Sequence, residues 1–266
     1  MNLVNEASFF MLLNNYNIHE QTDLYAELKS GFMLAKNNSV SHKRIKYYEN
    51  YYSKNPDSLK TILNNASPYL YYILIQVERN LMPTEVALLP AIESSFNPNI
   101  KNLSNDYAGL WQFIPSTANQ FGLLNNDEYN DRQNIIKSTN AAILHLKYLY
   151  LMFKQWDIAI AAYNWGEGNI YNAILKSKQK IGMVTYSKLE LREITANYVA
   201  KLIAIANIIE NPAKYNIVLP KIKNEPYFLL LNASNNFSID KLSELFAVDQ
   251  KSFLLLNPQF KDLSYK

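Results

Sequence analysis

The chain has 266 residues, of which 48% are hydrophobic and 18% are charged, and its formal net charge is +3. This balance is typical of a globular protein with one large domain, or a main domain with smaller attachments, and excludes a disordered chain. The mild positive charge does not indicate nucleic acid as a partner, although it suits an anionic polymer. The absence of cysteine excludes disulfides, thiol nucleophiles and cysteine metal sites.

Helix signals recur along almost the whole chain. Ser67-Pro68 and Pro115-Ser116-Thr117 are typical of helix starts, and Gly122 suits a helix end. Apolar residues at helical spacing complete the pattern, and no segment shows sustained strand alternation with hairpin turns. The predicted helices cover residues 67–80, 82–92, 115–122, 135–153, 155–164, 190–211, 238–247 and 249–257. The sequence therefore predicts an all-α protein.

Changes in composition divide the chain into three parts. Residues 1–57 are polar, asparagine-rich and predicted to form a helical N-terminal extension. Residues 58–212 hold the most regular apolar patterns and are predicted to form the main domain. Residues 213–266 begin with a proline-containing connector and continue as a small helical module.

One short segment places a carboxylate in an unusual setting. In "LLPAIESSFNPN", residues 88–99, Glu93 directly follows an apolar run. A carboxylate in such surroundings is costly unless it is paired, solvated or used in chemistry. No basic residue lies close to Glu93 in the sequence, since Arg79 is 14 residues before it and Lys101 is eight after it. Phe96 and Pro98 indicate a turn that ends the helix of Glu93.

Two glycine-containing segments indicate a groove. Gly109 lies in "AGLWQFIPST", and Gly166 and Gly168 lie in "AAYNWGEG", both of which mix glycine with aromatic and amide residues. Such mixtures are typical of a backbone that passes close to a polar-aromatic binding surface. Helix ends and turns explain the same glycines equally well.

Three motifs together resemble a known family. "ESSF" at 93–96, "AGLWQFIPSTA" at 108–118 and "AAYNWGEG" at 161–168 occur in this order. They are similar to those of the lytic transglycosylases with a goose-type lysozyme fold, and most closely to the membrane-bound lytic murein transglycosylase D branch. The segments at 28–34, 65–78 and 224–258 resemble the same branch, so the resemblance covers nearly the whole chain.

The resemblance implies both an activity and the residues that carry it. Members of the family cut the bond between N-acetylmuramic acid and N-acetylglucosamine in peptidoglycan without water and leave 1,6-anhydromuramic acid ends. Their single catalytic acid corresponds to Glu93. By the same comparison, the substrate-binding residues are Ser104, Gln112, Tyr163, Asn164 and Tyr198.

The chain also departs from the family pattern. The segment between the first two motifs is one residue longer than usual, and Ser104 is the nearest counterpart of the family's groove serine. Trp165 stands where a small residue is usual, which would narrow the groove or add a stacking face. The lysin-motif repeats and the secretion and lipid signals common in this branch are not seen. The resemblance nonetheless implies a location in the cell envelope, in the periplasm or at a membrane.

A second carboxylate is needed for ordinary glycoside hydrolysis. Asp106, Asp131 and Glu167 are the candidates, but they are expected to be a loop residue, a helix cap and a solvent-facing residue, respectively. One carboxylate suffices if the 2-acetamido group of the substrate stabilises the oxocarbenium-like state. Glu93 would then act first as acid and later as base. Packing by its apolar neighbours would raise its pKa by desolvation.

Other side chains carry weaker signals. Trp111 and Tyr163 suit sugar packing, but core packing explains them equally, and better for Trp111. His19, His42 and His145 are far apart without ligand spacing, so we predict neither a metal site nor a cofactor. The predicted partner is the peptidoglycan glycan strand, with cell-envelope proteins as further candidates. A hydrolytic muramidase on the same fold and a non-catalytic glycan-binding protein remain as alternatives.

Overall fold

A computed structural model of the chain describes residues 7–12, 23–100, 106–126, 129–233, 244 and 249–260. The described residues are mostly helical, which confirms the predicted all-α class. The helices are α1 (Leu24–Ser30), α2 (His42–Lys54), α3 (Pro56–Ala66), α4 (Leu70–Arg79), α5 (Leu89–Glu93), α6 (Pro115–Gln120), α7 (Ile135–Phe153), α8 (Trp156–Trp165), α9 (Glu167–Lys176), α10 (Glu193–Glu210) and α11 (Gln250–Leu256). Short 3-10 helices cover Thr84–Leu88, Tyr186–Lys188 and Pro212–Tyr215.

The observed bounds of helix α7 match the predicted range 135–153, and one of its faces packs in the core. Its nearly continuous apolar sequence predicts a helix buried on all sides, and this was wrong, because Leu144, Tyr148 and Leu151 are exposed on the opposite face. Asn134 caps its start, because its side chain accepts a hydrogen bond of 2.9 Å from the Lys137 amide. The expectation that Asp131 caps a helix was therefore wrong. Asp131 is fully buried, accepts a hydrogen bond from the Leu124 amide at 3.0 Å and pairs with Lys137 at 3.0 Å.

The helix predicted over 82–92 is divided into two pieces. Thr84–Leu88 forms a 3-10 helix, and α5 begins at Leu89 with Pro90 in its first turn. Proline lacks an N–H and its ring clashes with the carbonyl four residues earlier, so one α-helix does not continue through Pro90. Glu85, in the 3-10 piece, is fully buried and accepts hydrogen bonds from the N-terminal segment.

The N-terminal helices pack directly on the later ones. Arg44 on α2 pairs with Glu193 on α10, with Nη2 and Oε2 3.0 Å apart. One turn further along α2, Glu49 accepts a hydrogen bond of 2.8 Å from Asn207 of α10. Buried apolar side chains from α1 to α11 belong to one core. The domain boundaries at 57/58 and 212/213 remain a prediction.

A two-stranded antiparallel sheet was not predicted. β1 (Ala7–Leu12) pairs with β2 (Phe228–Ala233), and the register runs from Ala7 opposite Ala233 to Leu12 opposite Phe228. The prediction that residues 1–57 are helical was therefore wrong for β1. Its pairing partner lies more than 200 residues away, so local patterns could not indicate it. Helix α11 matches the predicted helix over 249–257, whereas that over 238–247 lies outside the described residues except for Glu244.

Candidate active site

Glu93 is the last residue of α5, where the chain turns sharply. The amides of Ser94 and Phe96 both donate 3.0 Å hydrogen bonds to the Pro90 carbonyl. Ser95 and Phe96 have positive φ angles of 52° and 55°. Two consecutive residues in the left-handed conformation cannot continue a right-handed helix, so α5 ends at Glu93. The turn predicted at Phe96 is thus observed.

Two hydrogen bonds join the three sequence motifs in space. Ser94, next to the glutamate, donates from Oγ to the Leu110 carbonyl at 2.9 Å. Tyr163 donates from its hydroxyl to the Trp111 carbonyl, also at 2.9 Å. The segment around residues 108–113 therefore lies between the other two motifs and is bonded to both.

Gly109 is required for this segment to fit. Its φ is +80°, and a Cβ at this position would lie 1.8 Å from the Arg132 carbonyl oxygen. No side chain fits at such a distance, so the glycine signal in the sequence reflects a close backbone approach. The same explanation does not hold for Gly168, where a Cβ would meet no atom within 4 Å.

Gln112 is fixed by the same turn. Its backbone has a positive φ of 49°, and its Nε2 donates to the Gly109 carbonyl at 2.7 Å and to the Ile100 carbonyl at 3.3 Å. The amide nitrogen is thus occupied by the protein itself. The Oε1 atom remains as the part of this side chain suited to accept a hydrogen bond from a ligand hydroxyl or amide.

Tyr198 on α10 donates a hydrogen bond from its hydroxyl to Glu93 Oε1. Burial raises the pKa of Glu93 to about 7, while the Tyr198 hydrogen bond and the charge of Lys201 act in the opposite direction. A glutamic acid with this pKa is partly protonated at neutral pH and can both give and take a proton.

The two phenols beside Glu93 remain protonated. Burial, and then the negative charge of Glu93, raise the pKa of both Tyr163 and Tyr198 well above the ordinary value. Tyr198 is buried, and Tyr163 is partly buried. Both hydroxyls are therefore hydrogen-bond donors at neutral pH and not bases.

Asn164 belongs to a neighbouring polar cluster. Its Oδ1 accepts hydrogen bonds from Thr195 Oγ1 at 2.8 Å and from Arg192 at 3.3 Å. The Arg192 guanidinium also lies 5.7 Å from the centroid of the Trp165 ring. One face of Trp165 is thus occupied by Arg192. The Nδ2 donor of Asn164 has no acceptor among the described residues and is the part suited to a ligand.

The structure brings some predicted site residues together and not others. Glu93, Tyr163 and Tyr198 interact with one another. Gln112 and Asn164 are their near neighbours, because each directly follows one of the two residues, Trp111 and Tyr163, that share a hydrogen bond. Ser104 lies outside the described residues. Trp111 is fully buried and donates from Nε1 to Thr139 at 3.1 Å, which supports the core alternative.

Sequence reasoning missed Lys201. No basic residue is close to Glu93 in the sequence, and Lys201 comes from α10, which also carries Tyr198. The spacing of three residues between Tyr198 and Lys201 places both on the same helix face and was the available signal. No carboxylate of the described residues is among the groups that shift the pKa of Glu93.

The all-α fold holds a protonatable glutamate at a helix end beside two phenols, and this arrangement is consistent with a lysozyme-like domain. Residues 71–184 match the family described as "Transglycosylase SLT domain". The chain belongs to this family.

Two curated relatives are similar to this chain, and the name of the first agrees with this assignment. The chain is 31% identical over 244 residues to the membrane-bound lytic murein transglycosylase D of Escherichia coli (strain K12), and the match covers 90% of this chain and 52% of the relative. It is 38% identical over 168 residues to an Alteromonas sp. (strain M-1) protein whose name refers to tributyltin chloride resistance, covering 62% of this chain and 78% of that protein. The chain thus spans about half the length of the Escherichia coli relative. Within its described residues, no helix is long and apolar enough to cross a membrane.

Proposed function

We propose that this protein is a peptidoglycan lytic transglycosylase that cleaves the β-1,4 bond between N-acetylmuramic acid and N-acetylglucosamine and leaves 1,6-anhydromuramic acid ends. The observation that carries the proposal is Glu93, a carboxyl group with a pKa of about 7 that accepts a hydrogen bond from Tyr198. Its relationship to a membrane-bound murein transglycosylase supports peptidoglycan as the substrate and the cell envelope as the location.

The first step requires an acid. Protonated Glu93 gives its proton to the glycosidic oxygen, and the bond between that oxygen and C1 of the muramic acid breaks. The 2-acetamido group of the same sugar stabilises the developing positive charge at C1, a role that an enzymatic carboxylate has in other glycosidases. Glu93 is then a carboxylate, which Tyr198 stabilises by its hydrogen bond.

The second step requires a base. The Glu93 carboxylate takes the proton from the C6 hydroxyl of the same sugar, and the C6 oxygen forms a bond to C1. One C–O bond is broken, one is formed, no water is consumed, and Glu93 ends the cycle protonated. A pKa of about 7 suits both steps, because neither protonation state is strongly disfavoured at neutral pH.

Bound sugar needs hydrogen-bond partners and an apolar surface. Gln112 Oε1 is suited to accept from a sugar hydroxyl or an acetamido N–H, and Asn164 Nδ2 is suited to donate to a carbonyl. Tyr163 adds a partly exposed ring. We assign these three residues to substrate binding, together with Tyr198, which also holds Glu93. Ser104 remains an additional candidate from the resemblance.

Mass analysis of the products tests the proposal. Digestion of purified sacculi by the wild type is expected to release fragments with anhydro ends, and Glu93→Gln is expected to release none. Ends that are one water heavier would identify a hydrolytic muramidase. Binding to sacculi without any release by the wild type would identify a non-catalytic glycan-binding protein.

A further inference from the structure

Helix α10 carries two polar side chains that act on Glu93, one through a hydrogen bond and one through its charge. Tyr198 donates its hydroxyl hydrogen bond to Glu93, and Lys201 follows it by three residues on the same helix face. The Lys201 ammonium group acts on the same carboxyl through its charge, since it lowers the pKa of Glu93. In the described part of the chain, Lys201 forms no direct ion pair with Glu93, so it acts on the carboxyl through its charge alone.

The other contact of Lys201 comes from the N-terminal part of the chain. Its Nζ lies 5.4 Å from the ring centroid of Tyr48 on α2, within the range of a cation–π interaction. Tyr48 is partly buried and packs on the core. Because α2 is held on α10 by the Arg44–Glu193 and Glu49–Asn207 contacts, the ring of Tyr48 is fixed relative to Lys201.

We propose that Lys201 is a positioning residue for the reaction at Glu93: held against the ring of Tyr48, its ammonium group stabilises the carboxylate that Glu93 becomes after giving up its proton. This inference rests on the proposed function. It assigns α2 of the N-terminal extension a part in the chemistry, because α2 supplies the ring that holds the cation.

The arrangement suits a group that must be acid and base in turn. A direct ion pair would hold Glu93 ionised at rest and remove the acid. A cation held by an aromatic face instead leaves the carboxyl protonatable while lowering the energy of its charged form. Burial of Lys201 lowers its own pKa, and the charge of Glu93 acts against that effect. The two charges therefore support each other.

Other ionisable groups near this pair are already engaged. Tyr163 and Tyr198 are neutral donors, and Glu49 accepts from Asn207. Arg44 on α2 is paired with Glu193 of α10, so most of its charge is balanced. The ionisable groups that interact electrostatically with Glu93, Lys201 or Tyr48 include Tyr163 on α8, Tyr198 and Glu193 on α10, and Arg44 and Tyr47 on α2.

The direct test measures protonation of Glu93 in the full chain. The C=O stretch of the protonated carboxyl is followed by infrared spectroscopy against pH, after subtraction of the spectrum of Glu93→Gln. In Lys201→Met, which keeps the stem but removes the charge, the midpoint is expected to rise by about one pH unit. Lys201→Arg should keep it within a few tenths of a unit. Tyr48→Leu should raise it partly, and Tyr48→Phe, which keeps the ring, should not.

Activity on sacculi gives the second readout. Lys201→Met is expected to lower kcat by roughly tenfold at the wild-type optimum and to shift the alkaline limb of the kcat/KM profile upward by the same amount as the infrared midpoint. Lys147→Met is the matched control, since Lys147 is exposed and contacts Asn80 away from the site.

A carboxyl midpoint that does not move in folded Lys201→Met would overturn the inference. A purely structural role of Lys201 would lower activity without moving the infrared midpoint or the alkaline limb of the activity profile. That result would also overturn the inference. If the midpoint moves as expected but the wild type releases no product, the charge coupling is supported and the proposed function fails. The infrared and product measurements therefore separate the two proposals.

Discussion

The hydroxyl of Tyr198 reaches the carboxyl of Glu93 from 105 residues further along the chain. This hydrogen bond connects α10, which follows the family-matched segment, with the end of the short helix α5. It stabilises the charged form of Glu93, whereas burial stabilises the neutral form. The acid therefore depends on α10, which lies outside the matched residues 71–184.

Tyr198→Phe should raise the pKa of Glu93 above about 7, because it removes a hydrogen bond to the carboxylate. We expect kcat on sacculi to fall by roughly 10- to 100-fold, and the alkaline limb of the activity profile to move to higher pH. Tyr69→Phe is the control, since it removes a buried hydroxyl that bonds to the Leu255 carbonyl. An alkaline limb at the wild-type position in Tyr198→Phe would contradict this role.

Glu93→Gln should be more stable than the wild type at alkaline pH. The pKa of Glu93 is about 7 in the folded protein and about 4.5 when unperturbed, so the wild type loses stability as pH rises from about 4.5 to 7. The loss amounts to at most about 3 kcal/mol, which the glutamine variant avoids. Urea unfolding at pH 5 and pH 8 measures the difference. Glu210→Gln, at an exposed helix end, is the control. The difference between its unfolding free energy and that of the wild type should not increase from pH 5 to pH 8.

His145→Leu should reduce the fall in unfolding free energy that the wild type undergoes in acid. His145 is buried among Phe113, Phe121 and Tyr163, and burial lowers its pKa to about 4. Its Nδ1 has no hydrogen-bond partner among the described residues. The unfolded chain takes up this proton from about pH 6.5 downward, so folding loses up to about 3 kcal/mol between pH 6.5 and 4.

We therefore expect the unfolding free energy of His145→Leu to fall less than that of the wild type in this pH range. The Glu93 and His145 effects have opposite signs and overlap between pH 4.5 and 6.5, so they partly cancel in the wild type. Each becomes visible in the single variant that removes the other. Replacement of the exposed His42 by Gln should leave the wild-type profile unchanged.

Gly109→Ala should destabilise the fold by more than about 3 kcal/mol, because the new Cβ would collide with the Arg132 carbonyl in a backbone conformation that alanine disfavours. Gly122→Ala is the matched control, since Gly122 has a similar φ of +76° but no atom near its Cβ position. It should cost only about 1–2 kcal/mol. Equal losses in the two variants, measured by urea unfolding, would show that backbone strain alone explains Gly109.

Local patterns predicted most of the helical scaffold. The bounds of α7 follow from its apolar sequence, and α8 and α10 differ from prediction by one to three residues at their ends. Helix α9 was missed because Gly168 lies in its first turn, and a glycine at that position is more typical of a loop. The β1–β2 pair was missed because strand pairing across most of the chain leaves no local signal.

The candidate site could be predicted only where its residues carry a motif. Glu93, Tyr163 and Tyr198 were identified through the resemblance, and the structure shows them interacting. Lys201 has no motif of its own and became evident only when α10 was placed beside α5. Its contact with Tyr48 depends on tertiary packing of α2, which spacing in the sequence does not indicate.

The two serines after Glu93 differ in a way that has a practical use. Ser94 is buried and donates a hydrogen bond to the Leu110 carbonyl, whereas Ser95 is exposed and its carbonyl accepts a hydrogen bond from Asn65. Because the sequence contains no cysteine, Ser95→Cys would provide a unique thiol two residues from Glu93. A fluorophore attached there would test the proposed binding of a glycan strand directly, without the need for turnover.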